Sequence, residues 1–228
     1  MADDVDPLRD LYPFLHGELQ DDAGVQDALL ASVREKADHG VQVKREFFAS
    51  RGQAVVDAAR AIAGVYRRGG RMLTMGNGGS SCDAAHFAVE FLHPVTAGRP
   101  ALAAIPLAGN DAMLTAVGND VGFDHVFVRQ LLALARPEDG LVGFSTSGNS
   151  RNLMRAFAQA RKLGLMTLGL AGGDGGEMAR SDDLDHCLVV ATDSIHRVQE
   201  VHVATYHILW DLVHTLLADR RGGLEAGP

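Results

Sequence analysis

With only two cysteines, Cys82 and Cys187, a chain of 228 residues has no disulfide scaffold, and both read as reduced thiols. Basic residues are also scarce. Lys and Arg number 21 against 29 Asp and Glu, a net charge of −8, and no basic run is long enough to suggest nucleic acid or an acidic membrane as partner. No apolar run reaches the roughly 20 residues that cross a bilayer. The opening MADDVDPLRD lacks the basic and apolar regions of a signal peptide, so a cytoplasmic protein is expected. Internal repeats and low-complexity tracts are absent too, which argues against a solenoid.

What is present suits one large domain, since 46% of the residues are hydrophobic. Residues 1–20 are acidic, with Pro7 and Pro13, and read as an arm; residues 221–228 read as a flexible tail. Between them, residues 21–220 form the domain, opening with helices over about 21–69. Apolar residues from Leu29 to Phe48 recur at helical spacing, with Gly40 weakening the pattern. A second helix is expected from about Gln53 to Arg68, stopped by Gly69 and Gly70. Two helices ahead of any strand have no sheet of their own to cover, so they are expected to pack on a neighbouring subunit as well.

From residue 71 the rhythm becomes strand, loop, helix. RMLTM, ALAAIPL, GLVGF, LMTLGL and HCLVVA read as five short apolar strands. Helices are expected at DAAHFAVEFLH, NDAMLTAVGND and NLMRAFAQARKLG, and from about His196 to Asp219. The alternation predicts an α/β fold, a three-layer αβα sandwich around a five-stranded parallel sheet.

Two loops each follow a strand and precede a helix: Gly76-Asn77-Gly78-Gly79-Ser80 and Ser145-Thr146-Ser147-Gly148-Asn149-Ser150. Ligands of open parallel sheets bind beyond the strands' carboxyl ends, where helix N-termini offer free amides to a phosphate. Ser, Asn and Gly also serve as ordinary turn and cap residues, but two loops with the same placement favour an anion site. Neither loop ends in Gly-Lys-Ser or Gly-Lys-Thr, so a nucleoside triphosphate is disfavoured.

The helix after the first loop carries His86 and Glu90 four residues apart on one face, among Phe87, Ala88, Val89 and Phe91. The last helix carries Gln199, Glu200, His202 and His207. His with Glu can hold Zn²⁺, and the carboxylate can act as a general base. His93, His202 and His214 read as structural or surface residues. Gln199 and His207 are separated by about 12 Å of helical rise, so they reach one metal only at full stretch, with a bend, or from different subunits.

GNGGSSCDAAHFAVEF, AVGNDVGFD, GFSTSGNS, GGDGGEMA and RVQEVHVATYHIL occur in this order, and together they resemble the sedoheptulose-7-phosphate isomerases of the SIS domain group. The resemblance covers roughly residues 30–218. It implies sugar contacts at Asn77, Gly78, Gly79, Asn119 and Asp120, and a phosphate loop of Ser145, Thr146, Ser147 and Ser150 with Ser80 beside it. It further implies one Zn²⁺ per chain on His86, Glu90, Gln199 and His207, with Gln199 and Glu90 also facing substrate. Glu90 and His207 would be the base and acid of proton transfer, in a homotetramer with shared active sites. Two departures bear on the sugar: His196 stands where many members have aspartate, and His93-Pro94 where members often have Gly-Arg. Two other readings come from the same group. One is a non-catalytic regulator that binds the replication initiator, a subfamily lacking the Glu and the last His. The other is an isomerase of a different sugar phosphate.

Overall fold

The computed structural model describes residues 22–96 and 98–218; the acidic arm at 1–20 and the tail at 221–228 lie outside the described residues. The chain divides into two units, Met1–His39 and Gly40–Pro228. The first contains, among the described residues, the beginning of helix α1 (Asp22–Arg67). Where two helices were expected, α1 is continuous over 46 residues. A helical glycine costs only about 1 kcal/mol, and burial of Val43, Phe47, Val55, Ile62 and Val65 outweighs it. Gly40 is also there for closeness: a Cβ on it would lie 2.9 Å from Glu200 Oε2. The helix stops where the sequence says, with Gly69 at φ 79° and Gly70 packed so tightly that a Cβ would meet the Glu138 carbonyl.

The second unit continues as β1 (Met72–Gly76), α2 (Gly79–Leu92), β2 (Ala104–Pro106), α3 (Asp111–Asp120), α4 (Val126–Leu134), β3 (Gly140–Ser145), α5 (Arg151–Leu163), β4 (Met166–Gly172), β5 (His186–Val190) and α6 (Ile195–Ala218). All five expected strands are present. Helix α4 was not anticipated, nor were two single 3-10 turns, Phe123–His125 and Met178–Arg180. The sheet is parallel throughout, in the order β2-β1-β3-β4-β5.

The central strands β1, β3 and β4 are buried on both faces, which explains their near-continuous apolar runs. On one face Met72, Val142, Phe144, Leu168 and Leu170 pack with α1, α2 and α6. On the other, Leu73, Met75 and Leu141 pack with α3, α4 and α5, and the three layers follow. Strand order reverses between β1 and β3. The loops after these two strands therefore flank the crevice where open α/β sheets take their ligands. Among the described residues, no helix is long and apolar enough to cross a membrane.

Candidate active site

Both serine-rich loops lie at this crevice. In the first, Gly78 takes φ 54° and ψ −125°, a conformation that disfavours a side chain. A Cβ on Gly79 would lie 2.5 Å from Gln199 Nε2, so the glycine admits the amide of α6. Ser80 is buried in the first turn of α2. In the second loop Ser145 Oγ and Ser150 Oγ lie 2.9 Å apart, and the Gly148 amide donates to Ser145 Oγ at 3.1 Å. The Asn149 amide donates to Ser147 Oγ, while Asn149 Oδ1 accepts from the Glu177 amide. Ser150 places no side-chain cap on α5, so its hydroxyl does not occupy that helix start. Asn77 and Asn152 exchange two amide hydrogen bonds, 2.9 and 2.8 Å, which fasten one loop's strand end to the other loop's helix.

Beside the second loop is a cleft of about 400 Å³, lined by Thr146, Ser147, Gly172, Gly173, Asp174 and Asp193 among others. Two of these are acidic. The Gly176 amide and the Arg180 side chain hold the Asp174 carboxyl below its usual range, and Arg180 offsets its charge. The hydroxyls and amides of 145–150 are the groups beside this cleft that can donate to an anion.

Helices α2 and α6 run side by side in the same direction, so their contacts advance together: Gln199 against Gly79, Tyr206 against His86, Trp210 against Glu90. His86 Nε2 lies 3.1 Å from Glu90 Oε1, and His207 Nε2 lies 3.8 Å from the same oxygen. One ligand atom from each of the three falls within 4.8 Å of the others. Tetrahedral zinc with ligands near 2.1 Å spaces them about 3.4 Å apart, and an imidazole, imidazole, carboxylate set suits zinc or another first-row divalent ion. These residues could hold such an ion.

Gln199 lies further back along α6, hydrogen-bonded to Asp83. Asp83 is 6% exposed and, among the described residues, its Oδ2 has no hydrogen-bond partner. Burial pushes its carboxyl up to about 6, against opposing pulls from the Gln199 hydrogen bond and the His86 charge. Behind the trio, Tyr206 Oη lies 2.7 Å from His86 Nδ1, and Trp210 Nε1 donates to the Glu90 carbonyl at 2.7 Å. Burial, then the charges of Asp83 and Glu90, raise the Tyr206 phenol, keeping it protonated.

Within the chain, the structure brings His86, Glu90 and His207 together, with Gln199 near the start of α2. Asn119 and Asp120 close α3, exposed and bonded to each other at 2.8 Å. His202 and His214 are buried. Burial pushes His202 down to about 4, and its Nε2 lies 3.3 Å from the Ala171 carbonyl; it is a neutral core residue, as expected. His93 is exposed. Sequence reasoning missed Asp83, Asn152, Tyr206 and Trp210. Asp83 was within reach, because Asp83, His86 and Glu90 form one i, i+3, i+7 stripe.

The SIS domain family matches residues 37–172, a span that ends before α6. A phosphoheptose isomerase from Desulfovibrio desulfuricans is 41% identical over 201 residues, 88% of this chain and 94% of the relative. Another from Chlorobaculum parvum is 46% identical over 176 residues, 76% and 84% of the two chains. Among solved structures, a phosphoheptose isomerase from Francisella tularensis superposes with TM-score 0.78 at 34% identity, covering 82% of this chain and 98% of its own. One from Neisseria gonorrhoeae gives 0.76 at 36% identity, covering 82% and 99%. With the β-α crevice, the serine loop and the His-Glu-His cluster in place, this likeness over nearly the whole domain settles the family: the chain belongs to the phosphoheptose isomerases of the SIS domain family.

Proposed function

We propose that the protein is an aldose–ketose isomerase that interconverts sedoheptulose 7-phosphate and D-glycero-D-manno-heptose 7-phosphate. The observation that carries this reading is the carboxylate of Glu90 with His86 Nε2 at 3.1 Å and His207 Nε2 at 3.8 Å, a base with two imidazoles beside it. The phosphate is held by Ser145, Thr146, Ser147 and Ser150 with Ser80 nearby, and the sugar chain by Asn77, Gly78 and Gly79. Glu90 takes a proton from C1 of the open-chain ketose while His207 gives one to the C2 oxygen, leaving the 1,2-enediol. Glu90 then returns its proton to C2, and His207 recovers one from the C1 oxygen, completing the aldose. Zinc, one per chain, would be held by His86, Glu90 and His207, with the Gln199 amide as the fourth ligand the family resemblance implies, and would supply Lewis acidity toward the substrate oxygens.

In this reading the enzyme works in the cytoplasm as a homotetramer with shared active sites. Exposed Leu29, Leu30, Val33 and Val41 on α1 and Ile195 and Ile208 on α6 support assembly. Asn119 and Asp120, exposed at the end of α3, are available to sugar at this chain's site or a neighbour's. The free thiols Cys82 and Cys187 suit a reducing compartment. The test is a coupled assay of purified protein on sedoheptulose 7-phosphate with smaller ketose phosphates as controls, alongside elemental analysis. Turnover confined to the smaller sugars would refute the substrate; full activity in EDTA with no bound metal would refute the zinc.

A further inference from the structure

His86 has both ring nitrogens engaged, and the partner on the far side is not a carboxylate or a carbonyl but a phenol. Tyr206 is 1% exposed. Its ring stands edge-on to His86 at 5.1 Å, and to Phe144 at 6.0 Å and Phe87 at 6.5 Å. The hydroxyl cannot wander, because the ring is wedged into the core between α2, α6 and the sheet. It meets His86 Nδ1 at 2.7 Å while His86 Nε2 faces Glu90 Oε1 at 3.1 Å.

A neutral imidazole carries one proton, and the hydrogen bond at one nitrogen decides which nitrogen keeps it. A carboxylate only accepts, so Nε2–H pairs with Glu90 when Tyr206 donates to Nδ1. Ligation through Nε2 requires the other tautomer, with Nδ1–H donating to the Tyr206 oxygen. A hydroxyl serves both arrangements by rotation, whereas a carboxylate or a carbonyl serves only the second.

We infer that Tyr206 is a positioning residue that orients His86 and, by reversing its hydrogen bond, lets the ring change tautomer between the metal-free and the zinc-bound enzyme. The inference rests on reading His86 as a zinc ligand, and its first half, the orientation of the metal-free ring, stands without zinc.

The test compares wild type with Tyr206→Phe, which keeps the buried ring and removes only the hydroxyl. Nitrogen-15 NMR of the histidine rings in metal-free wild type should show His86 protonated on Nε2, and in the zinc-loaded protein on Nδ1. Removing the hydroxyl should weaken zinc binding about 10- to 100-fold, the usual effect of losing a ligand's outer hydrogen bond, and should shift the metal-free tautomer ratio. Wild-type His86 keeping its proton on Nε2 with zinc bound would overturn the inference without any variant. So would a Tyr206→Phe protein that folds, matches wild-type zinc affinity and leaves the tautomer ratio unmoved. If wild type binds no zinc, the zinc reading fails separately. The metal-free spectra then decide the first half: an unchanged ratio in Tyr206→Phe overturns it, and a shifted one upholds it.

Discussion

Asn77 and Asn152 face each other across the crevice and exchange both of their amide hydrogen bonds, at 2.9 and 2.8 Å. Asn77 follows β1 and Asn152 lies in the first turn of α5, so this pair ties the loop at 76–80 to the loop at 145–150. Asn152 is 3% exposed, and a buried amide left without a partner costs about 1–3 kcal/mol. Asn152→Ala should lower stability by about that amount in chemical denaturation. It should also raise KM for the sugar phosphate more than it lowers kcat, because the residues proposed for proton transfer, Glu90 and His207, sit on α2 and α6. An unchanged KM would mean that the loops hold their spacing without this pair.

Glu90→Gln preserves shape but removes the group that accepts a proton. Turnover should fall by at least about 10²-fold, the lower end for a general base, with the melting temperature and oligomeric state unchanged. The neighbouring Trp210 bond runs to the Glu90 backbone carbonyl, so the substitution leaves it intact. Retention of more than a few per cent of wild-type rate would remove Glu90 from the role.

At the opposite end of the sheet, Arg71 Nη2 meets Asp139 Oδ2 at 2.8 Å, and Asp139 is 1% exposed. Burial alone would raise that carboxyl, but hydrogen bonds from the Arg71 side chain and backbone and from the Arg136 amide outweigh it and hold it below the usual range. A carboxyl lowered in the fold stabilises fully above its unfolded value near 3.9 and loses that contribution as pH falls through the folded value. Arg71→Met leaves the buried carboxylate without its cation. It should cost about 3 kcal/mol near pH 7 and shift the acid-unfolding midpoint to higher pH. An acid transition that stays put would show that backbone amides alone satisfy Asp139.

Leu29 and Val33 are one turn apart on α1, 58% and 64% exposed. Replacing both with Glu should leave the secondary structure of the chain unchanged by circular dichroism. Light scattering should then report a species smaller than the proposed tetramer, and, if its active sites are shared as proposed, isomerase activity should fall with it. A tetramer of full activity would place the subunit contacts elsewhere.

Strand order along the chain, both site loops, His86 beside Glu90 and the stop at Gly69-Gly70 could all be read from local pattern. Such signals reside within a few residues: apolar runs bounded by turn residues, and side chains four apart on one helix. Gly40 misled for the same reason, since a propensity penalty is local while the packing that overrides it involves Glu200, far away in sequence. Helix α4 escaped notice although Val126, Phe127 and Leu131 are its buried face; its nine residues follow the Phe123–His125 turn without a side-chain cap to announce them.

The amino-acid order was enough to single out His86, Glu90, Gln199 and His207 as candidates, but not to say which of them touch. His86 and Tyr206 are 120 positions apart, and only the parallel packing of α2 on α6 puts the phenol behind the imidazole and Trp210 behind Glu90. Asp83 needed the same packing before Gln199 could reach it. Contacts of this kind depend on how two helices, each fixed by its own strand, settle on a common sheet. That geometry comes from burying their apolar faces together, and no single segment carries it.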